Sequence, residues 1–268
     1  MSNPVFFTPA GTLDGQGPGS RFVLEGPEAR HAVTVKRLGL GEAVDLADGS
    51  GKRVTGVVTA TGASELTIEC RTVSTEDRPD IRLVLVQALA KGDRDELAAE
   101  TATELGIDAV VPWQSERSIV RWKGERAAKA HAKWQSVVTA AAKQARRAWI
   151  PEVRAAVDGT GLQKAVAAAD LAVILHEDAV RPLRQVLEAW RDDLNRDDLN
   201  EDAKDVLTDG EVREVLLIVG PEGGISPREV TKLCSAGAIT ALLGRHVLRS
   251  STAGPAATVL ANDVLGRW

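Results

Sequence analysis

The amino-acid sequence predicts an α/β protein in two parts, a small β-barrel followed by a mostly parallel sheet with helices on both faces. Three features predict it. Residues 21 to 73 break into short β-type segments with little helix between them, and from residue 81 onward apolar strand-like segments alternate with helical ones. Between the two patterns lies STEDRPD at 74 to 80, a polar run that contains a proline and has no periodicity. The expected division is a barrel over 1–75 and an α/β domain over 76–268.

Each element has its own signal. FVLE, AVDLADGSGKRVTGVVTA and ELTIECRTV supply the barrel strands, and DGSG set between alternating residues marks a hairpin. Many short strands with few helices to cover them close most simply on themselves. A short helix is expected between Glu28 and Leu38, on RHAVTVKR. Beyond the boundary, IRLVLVQALA reads as a buried strand, DRDELAAETATEL as a helix that stops at Gly106, and DAVVPW as the next strand. From Lys123 to Ala148 a helix is expected, because Ala127, Ala130, Trp134, Val137, Val138, Ala141 and Ala145 recur at helical spacing. LAVILH at 171–176, VLLIVG at 215–220 and ITALLG at 239–244 complete the strands, and alternation of strand with helix dictates parallel pairing. RDDLN at 191–195 is repeated at once at 196–200, too short for a solenoid, and reads as a duplication in a mobile surface loop with no catalytic role.

Composition narrows the function. The chain has 268 residues, 44% of them hydrophobic, enough for a full core. Its start lacks a basic stretch followed by an apolar run, and no segment reaches the roughly 18 apolar residues of a membrane span, so a cytoplasmic location away from membranes is expected. Cys70 and Cys234 stand in no metal-binding spacing; both are expected as buried fillers, with no metal site. The formal net charge of −5 is local, since residues 191–214 hold ten acids against four bases. Residues 117 to 154 instead carry ten Lys or Arg against Glu125 and Glu152, a footprint suited to phosphate backbone.

Two glycine-containing stretches, GQGPGS at 15–20 and GLGEAV at 39–44, do not follow a buried strand and open a long helix, and no GxxxxGK[ST] run exists, which disfavours nicotinamide and P-loop chemistry. The informative stretch is LLIVGPEGGISPREV. A buried strand ending at Val219 runs directly into Gly220, Pro221, Glu222, Gly223 and Gly224, where glycines let main-chain groups approach a ligand. Ser226, Pro227 and Glu229 then read as an N-cap, a first-turn proline and a capping-box acid. ITALLGRHVLRSSTAGPAA repeats the pattern: a strand, Leu243 and Gly244, a basic stretch through Val247, Leu248 and Arg249, and a helix opening at Ser250. Two such loops from one sheet are expected to wall a pocket for a small molecule with a flat base, into which Arg249, following buried-looking Val247 and Leu248, points.

LLIVGPEGG together with LLGRHVLR, Thr252 and Ala253 resembles the C-terminal signature of the bacterial 16S ribosomal RNA (uracil-N3) methyltransferases of the SPOUT superfamily. RHAVTVKRLGLGEAVDLADGSG resembles the start of that family's PUA-like RNA-binding barrel. KGDRDELAAETATELGIDAVVPWQSERS, with Glu104, Leu105, Gly106 and the triplet Ser115, Glu116, Arg117, resembles its central segment. The resemblance implies a trefoil-knotted α/β domain, a homodimer, and S-adenosylmethionine held by Val219–Gly224, Leu243, Gly244, Val247, Leu248 and Ser250. It also implies 16S rRNA of the small subunit as partner. Two departures stand out: Lys143, Gln144, Ala145, Arg146, Arg147 where relatives have Glu-Gln-Ser/Cys-Gly-Arg, and Leu248, Arg249, Ser250, Ser251, Thr252 where they have Leu-Arg-Thr-Glu-Thr.

The chemistry follows from uracil itself. N3 lies on the Watson–Crick edge and carries a proton, so the base must be presented unpaired, and a cation beside its carbonyls stabilises the charge left as the proton departs. Arg249 is expected in that role. RNA contacts are expected from Arg30, His31, Lys36 and Arg37 in the barrel and from Arg117, Arg121, Arg146 and Arg147 beyond it. A knotted enzyme that methylates a ribose 2′-hydroxyl, or a non-catalytic RNA-binding assembly factor, are the competing readings.

Overall fold

The structure, a computed structural model, describes residues 3–199 and 212–268. Two compact units form, Met1–Arg78 with Thr139–Ile150, and Pro79–Val138 with Pro151–Trp268.

In the first unit, β1 (Val5–Phe7), β2 (Arg21–Glu25), β3 (Ala43–Ala47), β4 (Lys52–Thr61) and β5 (Glu65–Thr75) pair in the order β1-β3-β4-β5-β2, antiparallel except for β1 on β3. Register shifts in the β4–β5 ladder between Thr55 and Gly56, and between Val58 and Ala60, mark bulges that sharpen its curl. The sheet keeps two edge strands and wraps Phe6, Leu24, Leu46, Val54, Leu66 and Ile68, all buried. The DGSG hairpin forms as its sequence demands: Asp48 Oδ1 accepts from the N–H groups of Ser50 (2.8 Å) and Lys52 (3.1 Å). Gly51 there has φ +96°, and a Cβ on it would lie 2.6 Å from the Glu76 carbonyl and the Trp149 ring, so no other residue fits. The short helix α1 (Gly26–Arg30) continues as a π-helical turn over His31–Val35, with Lys36 N–H bonded to His31 O at 2.9 Å.

The second unit is built on an all-parallel sheet of six strands: β6 (Ile81–Ala88), β7 (Ala109–Trp113), β8 (Glu152–Val153), β9 (Leu171–Leu175), β10 (Arg213–Val219) and β11 (Ile239–Ala241), in the order β11-β9-β10-β6-β7-β8. Successive side chains of β6 point to opposite faces. Val84, Val86 and Ala88 join Leu162 of α4 (Gly159–Ala168) and Leu233 of α6 (Pro227–Ser235) in one cluster. Leu85 and Gln87 meet α7 (Ser250–Val264), which also packs on α2 (Arg94–Glu104). The sheet is therefore buried on both sides, as its nearly unbroken apolar strands require. The helix α3 (Glu125–Gln144) begins in this unit, where Trp134 and Val138 are buried, and its last turns, which belong to the first unit, bury Ala141 and Ala142 before Arg146 turns left-handed at φ 57°, earlier than Ala148.

One expectation is corrected. The helix α5 (Leu183–Leu199) runs through the first RDDLN and into the second, where a loop was expected, because the segment contains neither Gly nor Pro and Arg196 bonds Asp193 one turn earlier at 3.0 Å. The rest of the acidic segment, residues 200–211, lies outside the described residues, and with it the expected mobility.

Close packing of α7 on the sheet requires Gly254. A Cβ there would lie 2.8 Å and 3.1 Å from the two methyl carbons of fully buried Leu85. Gly254→Val should lower stability by about 1–3 kcal/mol, the usual cost of overpacking, read as a reduced denaturant midpoint. An unchanged midpoint would contradict this seating of α7.

Candidate active site

The strand order creates a crevice. From β6 the chain proceeds to β7 and β8, and β10 later fills the place on the other side of β6. The helix after β6, α2, packs with α7 on one face, while the helix after β10, α6, packs with α4 on the other. Ligands of open α/β sheets bind where neighbouring strands send their connections to opposite faces, at the carboxyl ends.

The loop 220–226 leaves β10 at that point. Gly220 is there for lack of space, since a Cβ on it would lie 2.6 Å from Ile225, and Gly224 has φ +70°. Inside the loop Gly224 N–H bonds Pro221 O at 2.9 Å. The capping box forms as the sequence indicates: Ser226 Oγ accepts from Glu229 N–H (3.1 Å) and Glu229 Oε2 from Ser226 N–H (3.3 Å). Glu222 faces the connection after β6, where its Oε1 accepts from Lys91 N–H (3.2 Å) and Arg94 Nη1 (2.9 Å). Burial pushes the Glu222 carboxyl up, but its own and Lys91's backbone N–H groups, with the Arg94 guanidinium, outweigh that and hold it below the usual 4.5.

The second loop, 242–249, crosses the same edge. Leu242 at its start pairs with Arg181 and Leu183 (2.8 Å each), and its far end delivers Ser250 to the end of β6, where Ser250 Oγ lies 3.4 Å from Gln87 Nε2. Gln87 is in register with Val219, so the start of the first loop and the end of the second stand on adjacent strands. Among the described residues, the main chain of 243–248 makes no hydrogen bond, and nothing lies within 4 Å of a Cβ built on Gly244. The helix α7 has no side-chain cap at Arg249. A row of exposed N–H and C=O groups ending at an uncapped helix N-terminus suits a ligand held by main-chain atoms and carrying a carboxylate.

The sequence expected Val247 and Leu248 to be buried; they are 77% and 38% exposed, because this loop stands off the sheet instead of packing on it. Arg249 is exposed beside them. Cys70 is buried as expected, whereas Cys234 is exposed near the end of α6, on the face turned from Leu233. A cavity of about 290 Å³ lies beside these loops, at the end of β7 between the starts of α4 and α6, with Trp113, Gln114, Arg121, Thr160, Glu229 and Lys232 in its wall. None of its lining residues belongs to 220–224 or 243–249.

The expected RNA contacts divide. Arg30, Lys36 and Arg37 are exposed and in no ion pair among the described residues. His31 Nδ1 lies 3.0 Å from Lys143 Nζ, which also bonds Glu28 (2.6 Å) and stands over the Phe6 ring; burial and Lys143 lower the His31 pKa. Arg117 Nη1 donates to Gly223 O at 2.8 Å and Arg121 Nη2 to Glu116 O at 2.9 Å. Arg146 is exposed, and Arg147 is half-buried beyond the end of α3. Gln87 and Arg94 were not singled out from sequence, and Glu116 was named only within the Ser115–Arg117 triplet, with no role; a lone glutamine inside LVLVQALA was the available signal for the first.

The model of an RNA methyltransferase domain matches residues 77–262, and that of an RNA methyltransferase PUA domain matches residues 24–69. The chain belongs to this RNA methyltransferase family. Ribosomal RNA small subunit methyltransferase E of Mycobacterium bovis is 36% identical over 256 residues, covering 93% of this chain and 89% of that one. The enzyme of the same name from Bacillus subtilis is 24% identical over 233 residues, 87% of this methyltransferase and 86% of its own length. The crystal structure of ribosomal RNA small subunit methyltransferase E from Neisseria gonorrhoeae, bound to S-adenosyl methionine, superposes with a TM-score of 0.75 at 25% identity, covering 98% of each chain. A Legionella pneumophila methyltransferase structure with bound SAM gives 0.76 at 26% identity, again covering 98% of each.

The tie between Glu222 and the β6 connection has a pH signature. Because its folded pKa is depressed, its contribution to stability is complete above the unfolded glutamate value and is lost as pH falls through the folded one. Glu222→Gln should be less stable than the parent at neutral pH, with the gap closing below about pH 4. Parallel pH profiles of the two denaturation midpoints would contradict the tie.

Proposed function

We propose that this chain transfers a methyl group from S-adenosylmethionine to N3 of a uridine in the 16S rRNA of the small ribosomal subunit. The observation that carries the reading is that the glycine loop after Val219 starts, and the loop through Gly244 ends at Ser250, on the adjacent strands β10 and β6, in a chain with relatives at 25–26% identity crystallised with that cofactor. When bound, S-adenosylmethionine supplies an electrophilic methyl on a sulfonium whose departure as a neutral thioether needs no acid.

The chain's own residues then bind, orient and stabilise. Val219–Gly224, Leu243, Gly244, Val247, Leu248 and Ser250 hold the cofactor, chiefly through main-chain groups, with the start of α7 receiving its carboxylate. Alignment is the main catalytic demand, and loops anchored at both ends by strand and helix meet it. Arg249 stands at the start of α7 beside these groups and neutralises the charge that develops on the uracil carbonyls as N3 gives up its proton to solvent and bonds the methyl carbon. RNA docks through Arg30, Lys36, Arg37, Arg121, Arg146 and Arg147. The domain is trefoil-knotted and works in the cytoplasm as a homodimer; exposed Val180, Val247 and Leu248, on loops joined through Arg181 and Leu242, support the dimer, since apolar residues clustered on a surface favour a covered interface.

Incubation of the protein and S-adenosylmethionine with small subunits lacking the modification, followed by nucleoside mass spectrometry, should yield 3-methyluridine. A 2′-O-methyl nucleoside, or no product, would overturn the reading. Arg249→Ala should slow methyl transfer by roughly 10²–10³-fold, the usual effect of removing one such donor. An unchanged rate would remove Arg249 from the chemistry.

A further inference from the structure

We infer that Ser115, Glu116 and Arg117 form a clasp on the cofactor loop 220–226, so that Arg117 is a positioning residue for the methyl donor and not an RNA contact. The inference rests on the function proposed above and deepens it. All three residues lie in the connection after β7, more than 100 residues away in sequence from the loop they hold.

Three bonds make the clasp. Arg117 Nη1 donates to the Gly223 carbonyl at 2.8 Å. Glu116 Oε2 accepts from Ser226 Oγ at 2.7 Å, and Glu116 N–H donates to Glu229 Oε1 at 2.8 Å. The capping-box acid thus serves two partners at once, with Oε2 on the loop's own helix start and Oε1 on the clasp. Ser115, fully buried, bonds Ser118 through their hydroxyls at 3.1 Å and closes the turn that presents the other two.

The loop has little else to fix it. Within 220–224 the one internal main-chain bond joins Gly224 to Pro221, and Gly223 and Gly224 bring the backbone freedom of glycine. Arg117 covers that freedom: its Cβ is 3.7 Å from a Cβ built on Gly223, and its Nη1 is 3.8 Å from one built on Gly224. The other side of the loop is held by Arg94 on Glu222, so the turn is gripped from the connections after both β6 and β7. A guanidinium already donating to a carbonyl across this turn offers less of its fork to phosphate. The basic count of the sequence therefore overstates the RNA footprint at this position.

The test separates the two roles. In calorimetry without RNA, Arg117→Ala should weaken S-adenosylmethionine binding by at least about tenfold, the worth of a lost bond to a charged group. RNA affinity and its salt dependence should stay at the wild-type value, and amide exchange over 220–226, measured without cofactor, should accelerate while that of β6 does not change. Glu116→Gln, a milder change, should move donor affinity and loop exchange in the same direction by less. If Arg117→Ala leaves donor affinity and loop exchange unchanged but lowers the salt slope of RNA binding by about one, the residue contacts phosphate and the clasp is wrong. Should the wild type bind no S-adenosylmethionine, the proposed function falls, and loop exchange in the variants still decides the clasp.

Discussion

Everything at the site depends on β10 lying between β6 and β9. An all-parallel sheet is held by ladders that must be covered on both faces, so each connection has to choose a face. Because β6 and β10 are neighbours whose following helices lie on opposite faces, their carboxyl ends open a gap between the two connections. Gly220, Glu222 and Ser250 all occupy that gap. Val219 and Gln87 sit opposite each other in the ladder, which sets the start of the first loop one strand spacing from the residue that Ser250, at the end of the second, approaches.

Much of the basic charge near the middle of the chain proves to be structural. Lys133 pairs with Asp93 and Glu96, Lys143 with Glu28, and Arg154 with Glu214 and Glu152; Arg154 holds the Glu214 carboxyl low against the opposing effect of burial. A sequence count cannot see this, because every partner but Glu152 is 37 or more positions away. What remains for a polyanion is a smaller set on exposed positions, among them Arg121, Lys123, Arg126 and Lys129 around the start of α3.

The elements that were legible in the sequence are those whose cause is local. The DGSG hairpin, the Ser226 capping box and the strand leading to Val219 each follow from residues within a few positions of one another. The strand order does not, since it depends on which apolar run pairs with which, and five near-continuous runs of Val, Leu and Ile are interchangeable by pattern alone. The length of α5 was missed for the opposite reason: polarity suggested a loop, while the absence of Gly and Pro and the Arg196–Asp193 pair favoured helix. In the candidate site the glycines were visible, but the partners of Arg94, Glu116 and Gln87 lie at long sequence separations, so neither a lone glutamine in an apolar strand nor the Ser115–Arg117 triplet said what these side chains would hold. Burial of Val247 and Leu248 was misread because apolar character predicts a covered surface without saying what covers it.

The central claim is that the methyl donor is held by the main chain of the two loops and not in the neighbouring cavity beside Trp113. Backbone amide resonances of labelled protein, titrated with S-adenosylhomocysteine, test this directly. The account predicts the largest shifts at Gly220, Glu222–Gly224 and Leu243–Ser250. Shifts confined to the cavity wall around Gln114, Thr160 and Lys232, with both loops unmoved, would contradict it.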